Sequence, residues 1–232
     1  MSHARVVTLT VLALTAFAGN SLLCRAVLAQ TGIDAASFTT VRLLSGAVVL
    51  SGLAWLRGGQ RTGCGNWRSA LALFAYAAAF SFAYVELTAA AGALLLFAAV
   101  QITMVGHGIW SGERLRVLQS IGLVLACAGL IGLLLPGLSA PPLTGALLML
   151  GAGMAWGIYS LRGKRAGDPL RVTTGNFLLA APMALALSLL HWGHASVDPA
   201  GMGYAMVSGA LASGVGYAIW YGALPFLPST TA

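Results

Sequence analysis

The sequence is 232 residues long, of which 59% are hydrophobic and 7% charged. Soluble domains carry roughly 25% charged residues, so this chain lacks the polar surface to clothe a water-soluble particle. Its net charge of +7 is no nucleic-acid signature, because the basic residues sit in short joints between apolar runs.

Those runs predict an all-α integral membrane protein of about eight transmembrane helices, since lipid offers a bare backbone no hydrogen-bond partners. In chain order they fall at 6–29, 36–57, 68–87, 90–110, 116–136, 142–162, 172–192 and 200–223. The first follows Arg5 as a signal peptide would, but no small-x-small cleavage site closes it, and the bulky Leu23 makes a poor lipoprotein site of Cys24. It is read as an uncleaved helix. The joints carry breakers: Gly58-Gly59, Pro136-Gly137, Pro141-Pro142, Asp168-Pro169 and Asp198-Pro199. Cys24, Cys64 and Cys127 show no pairing or metal spacing, and no cofactor motif or nucleotide-binding loop is present.

Orientation follows from the cations. With the N-terminus inside, the inner joints hold Arg5, Arg57, Arg61, Arg68, Arg114, Arg116, Arg162, Lys164, Arg165 and Arg171, while the outer joints hold only Asp34 and Asp198. That asymmetry predicts a plasma (inner) membrane protein with a cytoplasmic N-terminus.

The chain also repeats. Phe38-Thr39-Thr40-Val41-Arg42 in the second helix parallels Val172-Thr173-Thr174-Gly175-Asn176 in the seventh, with Asp34 and Asp168 at matching distances ahead. Arg25 and Arg162 hold similar places near the ends of helices one and six. A five-helix unit is odd, so its second copy lies inverted in the bilayer, as in many secondary transporters. The first copy is expected at 1–136 and the second, ending after its third helix, at 137–232.

Charged and polar residues inside spans are the functional candidates. Arg25 and Glu86 are expected near one level, with Arg42 close enough to snorkel toward them. Three roles stay open: an ion pair at the outer mouth, a site for an anionic or zwitterionic solute with Glu86 titrating, or snorkelling to headgroups. Tyr76, Trp156, Tyr159, Tyr217 and Trp220 fall on helical stripes suited to a cavity for organic solutes, whereas Tyr84 and Tyr221 suit the interfacial belt or mouth. Asn20 and Gln101 are lone amides that serve either helix–helix hydrogen bonding or cavity lining. Gly153 and Gly157 on helix six, and Ser208, Ala212 and Gly216 on helix eight, are read as close-packing stripes. No catalytic or metal-ligating set emerges, which disfavours an intramembrane enzyme.

Three segments carry a family resemblance. They are Ser111-Gly112-Glu113-Arg114-Leu115 with Leu118-Gln119-Ser120-Ile121-Gly122; Gly92-Ala93-Leu94-Leu95-Leu96-Phe97 with Val100-Gln101-Ile102-Thr103-Met104; and Gly216-Tyr217-Ala218-Ile219-Trp220-Tyr221 running into Ala223-Leu224 and Leu227-Pro228. In order and spacing they resemble the EamA-type drug/metabolite transporters. The resemblance implies ten helices in two inverted repeats, a central cavity partly walled by the ninth, and transport of amino acids, metabolites or drugs. This sequence departs by lacking counterparts of the last two helices. The alternatives to a transporter are therefore an inactive relative or a part completed by another chain. The expected partners are a small solute, the lipid bilayer and possible self-association.

Overall fold

The computed structural model describes residues 3–58, 65–113, 117–134, 141–164 and 168–227. Seven helices are long and apolar enough to cross a membrane, joined by a shorter apolar stretch at Gln119–Gly129. In chain order the helices are α1 (His3–Gln30), α2 (Ala35–Leu56), α3 (Trp67–Glu86), α4 (Ala89–Trp110), α5 (Val117–Leu134), which carries the shorter apolar stretch, α6 (Leu143–Lys164) and α7 (Pro169–Leu190). The eighth crossing has three parts: α8 (Pro199–Val207), a π-helical stretch (Ser208–Val215) and α9 (Gly216–Ala223). This is the all-α membrane protein that the apolar runs predict. Cys64, Arg61, Arg114, Arg116, Arg165 and the Pro136-Gly137 joint lie outside the described residues.

Local chemistry starts these helices where the sequence places them. The side chains of Asp34, Asn66, Thr88, Asp168 and Asp198 each accept from backbone amides of the first turn, satisfying donors that have no intrahelical partner. Pro169 and Pro199 then occupy the first turn, where a missing amide proton costs nothing.

The two Thr-Thr segments make matching contacts. Asp34 Oδ1 accepts from the amides of Ala36 and Ser37, and Asp168 Oδ1 accepts from those of Leu170 and Arg171. Thr40 Oγ1 donates across to the Ala184 carbonyl at 2.8 Å, and Thr174 Oγ1 donates back to the Leu50 carbonyl at 3.3 Å. One shift of 134 residues maps each of these bonds onto its counterpart. At the level of whole helices, α2 packs on α7, α3 packs on α6, and α1 packs on the eighth crossing. Exchanging helices one, two and three for six, seven and eight reproduces the same pairings. α2 and α7 therefore cross in the middle of the bundle.

Close approach depends on absent side chains. A Cβ at Gly153 would meet the Leu96 carbonyl oxygen and the Ala99 methyl, and one at Gly157 would meet Thr103, so this G-x-x-x-G seats α6 on α4. The stripe of Ser208, Ala212 and Gly216 runs through the π-helical stretch, where a four-residue spacing still keeps positions near one face. Ser208 Oγ donates to Asn20 Oδ1, and a Cβ at Gly216 would lie 3.5 Å from the Ala16 methyl, so both ends of the stripe meet α1.

Candidate functional site

Aromatic rings from α1, α3, α6 and α9 meet in the middle of the bundle. Phe17 on α1 stands edge-on to Trp156 at 5.2 Å, to Tyr217 at 5.6 Å and to Trp220 at 6.1 Å between ring centroids. Trp156 Nε1 donates to the Tyr217 hydroxyl at 3.1 Å, and Tyr159 stacks obliquely on Tyr217 at 6.1 Å. Tyr76 joins from α3, 5.3 Å from Phe80 and 6.5 Å from Trp156. A slot between Phe17, Tyr76, Phe80, Leu96, Phe97 and Trp156 has a free volume of about 10 Å³. That is room for one water, against the ~300 Å³ or more of a typical ligand pocket, so the centre is closed in this state.

Arg42 lies beside this aromatic group. Its side chain is 1% exposed, with the guanidinium carbon 5.2 Å from the Phe80 ring, 5.5 Å from Tyr76 and 5.9 Å from Phe38. Nη2 donates to the Ala77 carbonyl at 3.1 Å, Nη1 approaches Cys24 Sγ at 3.9 Å, and Nε has no hydrogen-bond partner. Cys24 leads on to Asn20, whose Oδ1 accepts from Ser208 Oγ at 2.6 Å. Asn20, Cys24 and Ser208 thus form a small polar wall behind the guanidinium.

Seven of the ten candidate residues meet here: Asn20, Arg42, Tyr76, Trp156, Tyr159, Tyr217 and Trp220. The other three do not. Arg25 Nη1 donates to the carbonyls of Tyr84 and Val85, both at 2.9 Å, closing the C-terminal end of α3. Glu86 is exposed and accepts from the Gly145 amide at 3.1 Å at the start of α6. Gln101 is exposed on the outer face of α4, away from the aromatic group. The ion pair expected among Arg25, Arg42 and Glu86 does not form. Arg171 instead pairs with Asp168, Nε to Oδ2 at 3.3 Å. The cause is that each helix end already offers backbone partners to the nearest charge. Tyr84, expected at the interfacial belt or mouth, is fully buried near the C-terminal end of α3, 4.8 Å from Phe80, while the side chain of Tyr221 lies outside the described set. Phe17, Cys24, Phe80 and Ser208 join the site from outside the candidate set; Ser208 has a sequence signal as part of the helix-eight stripe, and Phe80 lies four residues from Tyr76 on the same helical face.

Since Glu86 is bonded at the surface, Glu86→Gln leaves the pH profile of uptake unchanged. A flattened profile in proteoliposomes would put Glu86 into the coupling mechanism.

The loops before α2 and before α8 are clasped together. Asp34 donates its amide to the Ser196 carbonyl at 2.9 Å and accepts the Ser196 amide on Oδ2 at 3.0 Å. Partial burial disfavours the charged carboxylate. Donation from Ser37, Ser196 and Ala36 outweighs it and holds the Asp34 carboxyl below its ordinary value. A depressed pKa stabilises the fold above the ordinary Asp range, and that stability is lost as pH falls below about 4. Thermal unfolding at a series of pH values tests this. The loss of stability below about pH 4 shrinks in Asp34→Asn, and an unchanged acid limb sinks the clasp.

Comparison with known proteins came to the same architecture. The model of the EamA-like transporter family matches residues 4–135 and 143–232. An uncharacterized protein of Pseudomonas aeruginosa is 58% identical over 228 residues, 98% of this chain and 79% of that protein. The threonine/homoserine exporter RhtA of Escherichia coli K12 is 39% identical over 125 residues. That match spans 50% of this chain and 41% of the exporter, and the Salmonella typhimurium exporter is 38% identical over the same length. A crystal structure 18% identical in sequence superposes with a TM-score of 0.66 over 94% of this chain and 79% of that one, which shows the shared fold.

Proposed function

This chain belongs to the EamA-like transporter family, and we propose that it is a secondary transporter of small organic solutes of the amino acid, metabolite or drug class. One observation carries the proposal: aromatic side chains from both copies of the repeat converge with the buried Arg42 where α2 and α7 cross. Inverted-repeat transporters hold their solute near such a crossing and alternate access around it. The 39% identity to the threonine/homoserine exporter over half of the chain supports amino acids as the first solutes to try.

The two copies are placed at 1–136 and 137–232, a division supported by the two matches of the family model and by the paired threonine bonds. We place the protein in the plasma (inner) membrane with a cytoplasmic N-terminus, on the strength of the basic inner joints. The test is counterflow in proteoliposomes holding the full chain, with labelled L-threonine and L-homoserine followed by a wider panel. Accumulation above protein-free vesicles is expected. Its failure across the panel would leave the inactive or chain-completed relative as the better reading.

A further inference from the structure

Arg42 is the one charged side chain buried among the described residues. The sequence has five acids, and every one is at a helix end. Asp34, Asp168 and Asp198 cap helix starts, Glu86 ends α3, and Glu113 follows α4. Among the described residues, therefore, no side-chain carboxylate reaches the guanidinium at membrane depth. A desolvated cation there is costly, and three ring faces, one carbonyl and one thiol offset only part of that cost.

The fold itself does not require this charge. The 134-residue shift that relates the two copies maps Arg42 onto Asn176 of α7. Asn176 is buried and neutral, accepting from the Asn66 amide at 2.9 Å and donating to the Tyr159 hydroxyl at 3.5 Å. At the equivalent point of the crossing, an uncharged amide completes the packing. The cation at position 42 is thus an addition to the repeat. It stands beside Tyr76 and Phe80, which also wall the central slot, and its Nε–H is unpartnered.

With the transport function above as its basis, we propose that Arg42 is the anion-binding end of the central site and that the solute carries a carboxylate. The planar guanidinium matches a carboxylate through paired N–H donors, here Nε and a neighbouring Nη. The solute supplies the negative charge that the protein interior lacks, so the loaded centre is neutral where the unloaded centre is cationic. The aromatic rings take the rest of the solute.

The test uses the full chain in lipid nanodiscs, with binding read from the fluorescence of Trp156 and Trp220. The probes are two matched pairs: L-threonine with L-threonine amide, and phenylacetate with phenylacetamide. In wild type, at least one carboxylate is expected to bind about tenfold or more tighter than its amide. Arg42→Gln weakens that carboxylate about 30-fold or more and erases the preference. Arg42→Lys keeps the charge without the fork, so it keeps the preference at reduced affinity and guards against misfolding of the glutamine variant. Binding of the threonine pair alone identifies a zwitterion site, and of the phenylacetate pair alone an organic-acid site. Either supports the proposal. Amides binding as well as their carboxylates, no carboxylate binding, or a preference that survives in Arg42→Gln would overturn it. Carboxylate binding without vesicle uptake would unseat the transport reading and leave the anion site standing.

Discussion

Replacing Arg42 with methionine is expected to lower solute uptake at least about 100-fold while leaving the protein as stable as before, or more so. Methionine has a similar length and packs well among Phe38, Tyr76 and Phe80, the rings that now face the guanidinium. Removing a buried charge in favour of a well-packed apolar side chain is commonly neutral, or stabilising by about 1–4 kcal/mol. A purely structural arginine gives the opposite result, because the links to the Ala77 carbonyl and Cys24 would be lost without any gain. Thermal unfolding in detergent, beside initial uptake rates in proteoliposomes, separates the two. A variant that is destabilised yet transports at the wild-type rate per folded molecule would falsify the functional role of Arg42.

The second large effect is expected at Gly209. A Cβ there would press on the Arg42 carbonyl oxygen and the Ser45 hydroxyl, at separations that real Cβ atoms essentially never show. The obstacle is partly backbone, so α2 and the π-helical stretch have to move apart. Overpacking of this kind costs about 1–3 kcal/mol in soluble cores. Gly209→Val falls at or above the top of that range, because the branched side chain enters a contact that already lacks room for a methyl. It also breaks the Ser208–Asn20 bond one residue away, which fixes the polar wall behind Arg42. Gly203→Ala is the control, since nothing lies within 4 Å of a Cβ there. The expected outcome is a large drop in unfolding temperature and lost uptake for Gly209→Val, with Gly203→Ala near wild type. Equal behaviour of the two variants would mean that α2 and the π-helical stretch do not need this contact.

Much of the site was visible in one dimension, for reasons that particular residues make clear. The paired Thr-Thr segments signalled the repeat because each threonine bonds to backbone, and backbone bonds survive sequence drift. The Gly153 and Gly157 spacing signalled a close helix contact because only small residues permit one. Arg25, Arg42 and Glu86 were harder. Their depths along the helices follow from 1.5 Å per residue, but depth says nothing about direction around the helix. Arg25 and Glu86 turned to neighbouring helix ends, and Arg42 turned inward to three rings. Gln101 and Tyr84 exchanged their expected settings for the same reason: one faces outward and the other is buried.

Composition and local pattern alone determined the membrane setting, the number and approximate limits of the helices and the breakers between them. These depend on transfer of side chains into lipid and on short-range hydrogen bonds, both of which act along the chain. Tertiary structure alone decided which rotational face of each helix met its neighbours, where the eighth crossing takes a π-helical form, and that, among the described residues, a single buried cation faces the aromatic centre with no acid beside it. Lipid and a protein interior are nearly equally apolar, so hydropathy cannot distinguish an inward face from an outward one. Packing between helices makes that choice, and packing is a property of the assembled fold.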